Sequence, residues 1–339
     1  MVDDTSTMRR TVLLTGANGS LGVTMVDYIL RQYPDLTLIV TVRDDSDGDS
    51  STLELRRILS QHSNATAIVR KLDLSSLEEV VAFSKDLQNE ISNGKIPLLK
   101  AIICNAMSWK LSGGPAYSND GYEMAMAVNH LAHFALSLRL LGSMDLQHGR
   151  IVFLGSEAHW PLRAGLSKGF PTHVPEDMDL LVHPDPDEKS QEMGRGFQRY
   201  GVSKLVIIMV MYELSRKLQQ GKDTKSVRAI TVDPLGLLDS RTFLRSHVPR
   251  HIQIFAMVAT YILPLLRLFM PSLSSVHQAA KPVVDLAVAD EYAGQEGYFE
   301  GNAKIESSPE SQNIEVQKKL WEETVNWCGL EAQDTVIEL

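Results

Sequence analysis

Tyr200 and Lys204 stand four residues apart in Tyr200-Gly201-Val202-Ser203-Lys204, so on a helix they share one face about a turn from each other. A phenol beside an ammonium is a pair that can move protons. The positive charge favours the phenolate and is expected to lower the tyrosine pKa towards a value useful near neutrality. Taken alone, the spacing equally describes an exposed helical pair, so its company matters. Ser156 follows the apolar run Ile151–Leu154, where its hydroxyl can hold a substrate oxygen or simply cap the next segment. Asn129 lies in Val128-Asn129-His130-Leu131-Ala132-His133-Phe134, an apolar stretch in which an amide needs partners, and a water relay towards Lys204 would supply one. His130 and His133 are three apart, but no further ligands converge on them in sequence, so they are read as structural and no metal is assigned.

A second constellation suits binding rather than proton transfer. Thr15-Gly16-Ala17-Asn18-Gly19-Ser20-Leu21-Gly22 joins the run Thr11–Leu14 to a helical pattern through Val26, Tyr28 and Leu30. Glycines at such a junction permit a tight turn and let backbone N–H groups approach a pyrophosphate at the positive end of the helix; an ordinary strand-to-helix turn is the alternative. Arg43 ends the second strand-like run, where dinucleotide folds discriminate between cofactors. With no carboxylate there for a ribose 2′-hydroxyl, and a guanidinium suited to a 2′-phosphate, NADP(H) is favoured over NAD. A solvated surface arginine with Asp44 and Asp45 beside it is the competing reading.

Bringing these groups together requires a sheet. Thr11–Leu14, Leu36–Val42, Ala67–Leu72, Leu99–Cys104 and Ile151–Leu154 read as strands separated by helical patterns, with a sixth at Arg228–Val232 and a seventh near Gly297–Phe299. A long helix over Ser203–Gln219 precedes the sixth. The alternation predicts an α/β, Rossmann-type doubly wound parallel sheet of about seven strands flanked by helices, binding ligands at the carboxyl edge. Residues 1–339 are expected to form one domain, with an insertion at 157–199, an apolar substrate lid at 237–275 and a C-terminal extension at 300–339.

Composition bounds the function classes. A content of 44% hydrophobic and 22% charged residues is that of an ordinary globular chain, and a net charge of −9 argues against nucleic acid as a partner. Two distant cysteines, Cys104 and Cys328, have no metal-ligand spacing and fit a reducing interior. The polar stretch Met1–Arg10 leaves no room for a signal peptide. A cytoplasmic protein is expected, with peripheral contact to a membrane as a further option. The most membrane-like stretch, Ile252–Leu266, is interrupted by Pro264 and shorter than the roughly 20 residues needed to span a bilayer, so it reads as a buried or interfacial helix.

Taken together, the motifs resemble those of the short-chain dehydrogenase/reductase family. The glycine loop, Leu72-Asp73-Leu74, Cys104-Asn105-Ala106-Met107, Asn129, Ser156, Tyr200 with Lys204, and Asp233-Pro234 occur in that family's order across roughly Thr11–Ser240. The resemblance implies Tyr200 as acid/base, Lys204 lowering its pKa and holding the nicotinamide ribose, Ser156 orienting a carbonyl, and Asn129 completing a relay. It places Gly16, Asn18, Ser20, Leu21, Gly22 and Arg43 along the cofactor, Asp73 and Leu74 beside the adenine, and Asn105 and Ala106 beside the adenosine ribose. Pro234 and Gly236 complete the cofactor set. Three positions depart from the family pattern: Ser20 stands for the middle glycine, Met107 for the glycine closing Asn-Ala-Gly, and Leu235 interrupts Pro-Gly. Each crowds the cofactor side of the cleft.

Ile305–Leu330 resembles the C-terminal region of retinol-dehydrogenase-like and protochlorophyllide-reductase-like members, and the whole resembles reductases of fungal secondary-metabolite pathways. The implied activity is that of an NADP(H)-dependent ketoreductase or alcohol dehydrogenase acting on a bulky lipophilic molecule such as a terpenoid, steroid or polyketide. A non-redox isomerase or cyclase using the same tyrosine, or a catalytically silent NADP(H)-binding scaffold, are the alternatives. The segment Phe243–Pro271, with Leu244, Ile254, Phe255 and Tyr261, has apolar surface enough to cover such a substrate; core packing, a dimer contact or shallow docking on a membrane are its other uses. Trp109, His159 and Trp160 are candidates for lining the same pocket. Tyr122–Leu141 and Ser203–Gln219 carry the faces that family members use for homodimers.

Overall fold

The computed structural model describes residues 9–167, 169–270 and 273–339; the stretch Met1–Met8 and the lid's Pro271 lie outside them. Among the described residues ten strands form: β1 (Thr11–Leu14), β2 (Thr37–Val42), β3 (Thr66–Lys71), β4 (Leu99–Cys104), β5 (Arg150–Leu154), β6 (Arg228–Asp233), β7 (Gly236–Leu237), β8 (Leu273–Ser274), β9 (Gly297–Glu300) and β10 (Ala303–Lys304). Eight of them make one sheet in the order β10-β9-β6-β5-β4-β1-β2-β3. Its pairings are parallel except at the edge, where β10 runs antiparallel on β9. The sheet therefore has one strand more than expected, and β10, two residues after a turn at Gly301, is too short to carry a hydrophobic period.

The central strands are largely apolar because both faces are covered, with Lys100, Arg150, Arg228 and Asp233 at or near their ends. Alternate side chains feed two cores. Leu13, Ile39, Ile102 and Ile151 pack with the helices Leu77–Ser92, Ala132–Leu140 and Glu192–Gln220. Val12, Leu14, Val40 and Ile103 pack with Ser20–Gln32 and Val276–Val288 on the other side. Crossovers reverse between β1 and β4, which opens a crevice at the carboxyl ends of those strands.

The long helix begins at Glu192, eleven residues earlier than its apolar period announces, so Tyr200 sits well inside it and the insertion ends before Glu192. Gly196 permits this. A Cβ there would lie 2.0 Å from the Lys110 carbonyl oxygen, so only glycine lets the helix rest on the chain that follows β4. Arg199 adds a bidentate bond to Asp187 at 2.7 and 2.8 Å.

Val206–Met211, the run that suggested a dimer contact, is buried inside this chain. The C-terminal helix Ile314–Trp327 supplies Leu320 and Trp321 to the same core, with the Trp321 ring 4.9 Å from Phe134. The apolar surface that motivated a dimer is thus used within the chain. The lid folds as two helices, Arg250–Tyr261 and Leu263–Phe269, between the paired strands β7 and β8. Among the described residues one stretch, Met124–Ser143, is long and apolar enough to cross a membrane, but it is 89% buried as a core helix.

Candidate active site

Tyr200, Ser156 and Lys204 meet at the carboxyl end of β5. Ser156 follows that strand and caps the turn Glu157–His159, accepting from the Ala158 N–H at 3.2 Å. It therefore caps the next segment, and its hydroxyl also acts on the Tyr200 phenol, drawing that pKa down. Gly201 makes the approach feasible, because a Cβ there would come within 2.6 Å of the Ala158 carbonyl oxygen.

The electrostatics correct one expectation. Lys204 Nζ lies 5.7 Å from the Tyr200 ring centre, but it donates to the Leu154 carbonyl at 2.7 Å. Burial is the largest influence on the phenol and pushes it up to about 12, with the Ser156 hydrogen bond drawing it back. Tyr200 is therefore a protonated phenol at neutral pH, a proton donor in waiting rather than a phenolate. Burial also brings Lys204 down to about 8, against the pull of the Asp233 carboxylate. Asp233, which the sequence marked only as part of a motif, is itself buried and pushed up to about 7.

Asn129 sits in a single π-helical turn, Ala127–Leu131, that interrupts the helix before Ala132. Such turns re-aim side chains. Its amide donates to Ser203 Oγ at 2.9 Å and to the Ser108 carbonyl at 3.0 Å, while its oxygen accepts from the Ser108 N–H at 2.7 Å. It is fully partnered next to the helix that carries Tyr200 and Lys204, without a hydrogen bond to Lys204. His130 and His133 diverge, bonding Thr324 and Thr15 respectively at 2.9 Å each.

An aromatic wall closes the site. Trp109 stands edge-on to Tyr200 at 5.6 Å, to Phe243 of the lid at 5.4 Å and to Phe197 at 6.3 Å. Met107 and Ile252 join this cluster. His159 does not line it: its ring stacks edge-on to Tyr298 at 4.9 Å and its Nε2 accepts from the Ser308 N–H at 3.1 Å, anchoring the C-terminal extension. Trp160 lies under Arg163 at 5.5 Å.

The glycine loop builds a cradle across the crevice. Gly16 adopts φ +62°, and a Cβ there would sit 2.8 Å from Ala106 Cα. At Gly22 a Cβ would meet the Gly16 carbonyl oxygen at 2.5 Å. Asn105 spends its amide on the Thr15 and Gly16 carbonyls at 2.9 and 3.1 Å, clamping the loop to β4. Asn18 is likewise committed, to Asp49 and Thr52, and Asp73 accepts from Ser75 in a local turn. Leu74 is buried in the core, and Gly236 belongs to β7. The amides of Ser20, Leu21 and Gly22 have no backbone acceptor among the described residues. They form the N-terminus of Ser20–Gln32, whose partial positive charge favours an anion. Arg43 is exposed and makes no ion pair among the described residues.

Sequence reasoning missed Arg241. From the start of the lid its backbone N–H and Nε donate to Ser20 Oγ at 2.9 and 3.3 Å, and its Nη2 donates to the Asn18 carbonyl at 2.8 Å. Glu54 holds the other Nη. The serine in place of a glycine thus provides the hydroxyl that fastens the lid to the loop. The only available signal was that departure itself, since Arg241 is 187 or more residues from its partners. Leu235, by contrast, carries strain, with φ +69° stabilised by its N–H bond to Asp233 Oδ1 at 2.7 Å. An L-residue there costs about 1–2 kcal/mol, and glycine returns part of the difference through unfolded-state entropy. Leu235→Gly is expected to gain about 0.5–1 kcal/mol, read as a higher urea midpoint; a lower midpoint would refute the strain.

A doubly wound sheet with a glycine loop at its switch point and a Ser–Tyr–Lys cluster at the next strand end defines the class of nicotinamide-dependent oxidoreductases built on a Rossmann fold. Residues 10–165 match the family described as short chain dehydrogenase, and residues 241–337 match the AcuH dehydrogenase domain. The chain is 30% identical over 370 aligned residues to short-chain dehydrogenase iccH of Talaromyces variabilis, covering 97% of this chain and 98% of that one. It is 30% identical to retinol dehydrogenase 13 of Homo sapiens, covering 95% and 86% of the two chains. The chain belongs to the short-chain dehydrogenase/reductase family. Among solved structures, an NADPH-bound carbonyl reductase from chicken fatty liver superposes with a TM-score of 0.56 at 15% identity, over 88% of this chain and 99% of the other. An angucycline C-6 ketoreductase with bound NADP gives 0.55 at 18%, over 87% and 95%. These two are likenesses of fold.

Proposed function

We propose that the protein is an NADP(H)-dependent ketoreductase or alcohol dehydrogenase acting on a bulky lipophilic carbonyl or alcohol, of terpenoid, steroid or polyketide type, in secondary metabolism. The observation that carries this reading is the meeting of Ser156, Tyr200 and Lys204 at the end of β5, with Tyr200 against an aromatic wall of Trp109, Phe197 and Phe243. Ser156 holds the substrate oxygen, and Tyr200, protonated at neutral pH, delivers the proton to it as charge develops. Lys204 keeps a positive charge beside the cluster, and the wall excludes water and favours an apolar substrate. The glycine cradle fits a dinucleotide: the two glycines leave no room for a Cβ, and three amides without a backbone acceptor stand at the positive end of the helix, where a pyrophosphate would bind. The cofactor, when bound, supplies the hydride. Exposed Arg43 supports the 2′-phosphate form, as do the NADP(H)-bound ketoreductases of the same fold.

Incubation with NADPH and a panel of steroid, terpenoid and polyketide ketones tests the assignment. Loss of NADPH absorbance with formation of an alcohol is expected. Product appearing without cofactor consumption would point instead to proton transfer alone.

Arg241 offers a separate test of the cofactor site. Placed against Ser20 and Asn18 at the open end of the helix, it is positioned to pair with a bridging phosphate. Arg241→Met is expected to raise the Kd for NADPH and for NADH alike by about 10-fold, the effect of one charge-assisted hydrogen bond. Fluorescence titration of the free enzyme reads this directly, and an unchanged Kd for both would remove Arg241 from the site.

A further inference from the structure

The outer face of the lid differs from the rest of the molecule in both polarity and charge. On the helix Arg250–Tyr261, Ile252 is half-buried and Ala256 and Ala259 are buried against the protein. Ile254, Val258 and Tyr261 project from the opposite side, as a period of 3.6 requires. Ten of the seventeen exposed large hydrophobic side chains among the described residues fall between Leu244 and Met270, so this is one patch rather than scatter. Its tips are almost bare: Tyr261 is 89%, Phe269 80% and Leu268 75% exposed. Charge follows the same boundary. In a chain of net charge −9, no Asp or Glu occurs between Asp239 and Asp285. Arg245, Arg250 and Arg267 are exposed there and make no ion pair among the described residues.

We propose that this face docks in the plane of an anionic lipid bilayer. Bare apolar side chains flanked by unpaired cations match a surface that is hydrocarbon beneath and negatively charged at the headgroups. The helices, of 12 and 7 residues, are too short to span a bilayer and lie along it. A second copy is a poor occupant, because an isologous contact would set the arginines of one lid against those of the other. The lid's inner side chains Phe243 and Ile252 belong to the cluster that holds Tyr200. A docked lid would therefore stand about one helix diameter, roughly 10 Å, from the site, with a groove between Leu238, Leu244 and Met257 opening on the same side. Docking itself does not depend on the redox reading.

Flotation of the full chain with vesicles tests the proposal without any turnover. Binding is expected to phosphatidylcholine vesicles containing phosphatidylserine, to weaken sharply on phosphatidylcholine alone, and to fall with added salt. Arg245→Glu/Arg250→Glu/Arg267→Glu is expected to lower the partition coefficient by about 100-fold or more, and Val258→Asp/Phe269→Ser to abolish binding. Unchanged circular dichroism and urea midpoint would show that both variants are folded. Absence of wild-type binding to the anionic vesicles overturns the proposal. So does undiminished binding of either folded variant, or a concentration-dependent dimer that Val258→Asp dissolves while lipid binding persists.

Discussion

Tyr200→Phe is expected to lower kcat for ketone reduction by about 10²–10⁴-fold, the usual contribution of a positioned general acid. The substitution removes a single oxygen. The ring keeps its edge contacts with Trp109 at 5.6 Å and Phe197 at 5.8 Å, so the wall and the lid contact survive. Loss of the polar interaction with Ser156 costs about 1 kcal/mol at most and is partly regained by burying a less polar group. The urea midpoint should therefore move little, and the Kd for cofactor, measured by fluorescence, should stay within about 2-fold because the glycine cradle is untouched. Loss of turnover with intact folding and cofactor affinity isolates the proton-transfer role. Full activity in this variant would remove Tyr200 from the reaction, whatever the substrate.

Gly201→Ala should be nearly as damaging to catalysis, by a different route. Alanine is the better helix former by about 1 kcal/mol, which in an exposed helix would stabilise. Here the added methyl would lie 2.5 Å from Thr172 Oγ1 and 2.6 Å from the Ala158 carbonyl oxygen. The second contact is with backbone, so a side-chain rotation cannot relieve it. Either the catalytic helix or the turn Glu157–His159 must withdraw, and Ser156, which precedes that turn, goes with it. Overpacking of this kind costs about 1–3 kcal/mol. A displacement approaching 1 Å between the two hydroxyls costs about 10²-fold in rate. A kcat near wild type would show that the Ser156–Tyr200 contact is not needed.

Much of this architecture was readable in advance. Strands covered on both faces appear as short, largely apolar runs, which is why β1, β4 and β6 are legible to within a residue. The helix at Glu192–Arg199 was not, because its residues are polar and glycine-containing. It is held by Gly196 against Lys110 and by the Arg199–Asp187 pair, contacts that no periodicity encodes. The lid was recognised as apolar, yet its split into an inner face towards Trp109 and a bare outer face appears only once its helices are laid on the sheet.

The sequence by itself determined which groups exist and which strand ends present them, since glycine loops, strand runs and the Tyr200–Lys204 spacing are local properties of the chain. Tertiary structure decided what those groups are. The pKa of Tyr200 moves up rather than down because burial outweighs the pull of Ser156, while the Lys204 ammonium donates to the Leu154 carbonyl. Arg241 reaches Ser20, and Trp321 packs on Phe134, between segments far apart in the chain. Burial, direction and long-range contact are set by packing in three dimensions, and a one-dimensional pattern carries none of them.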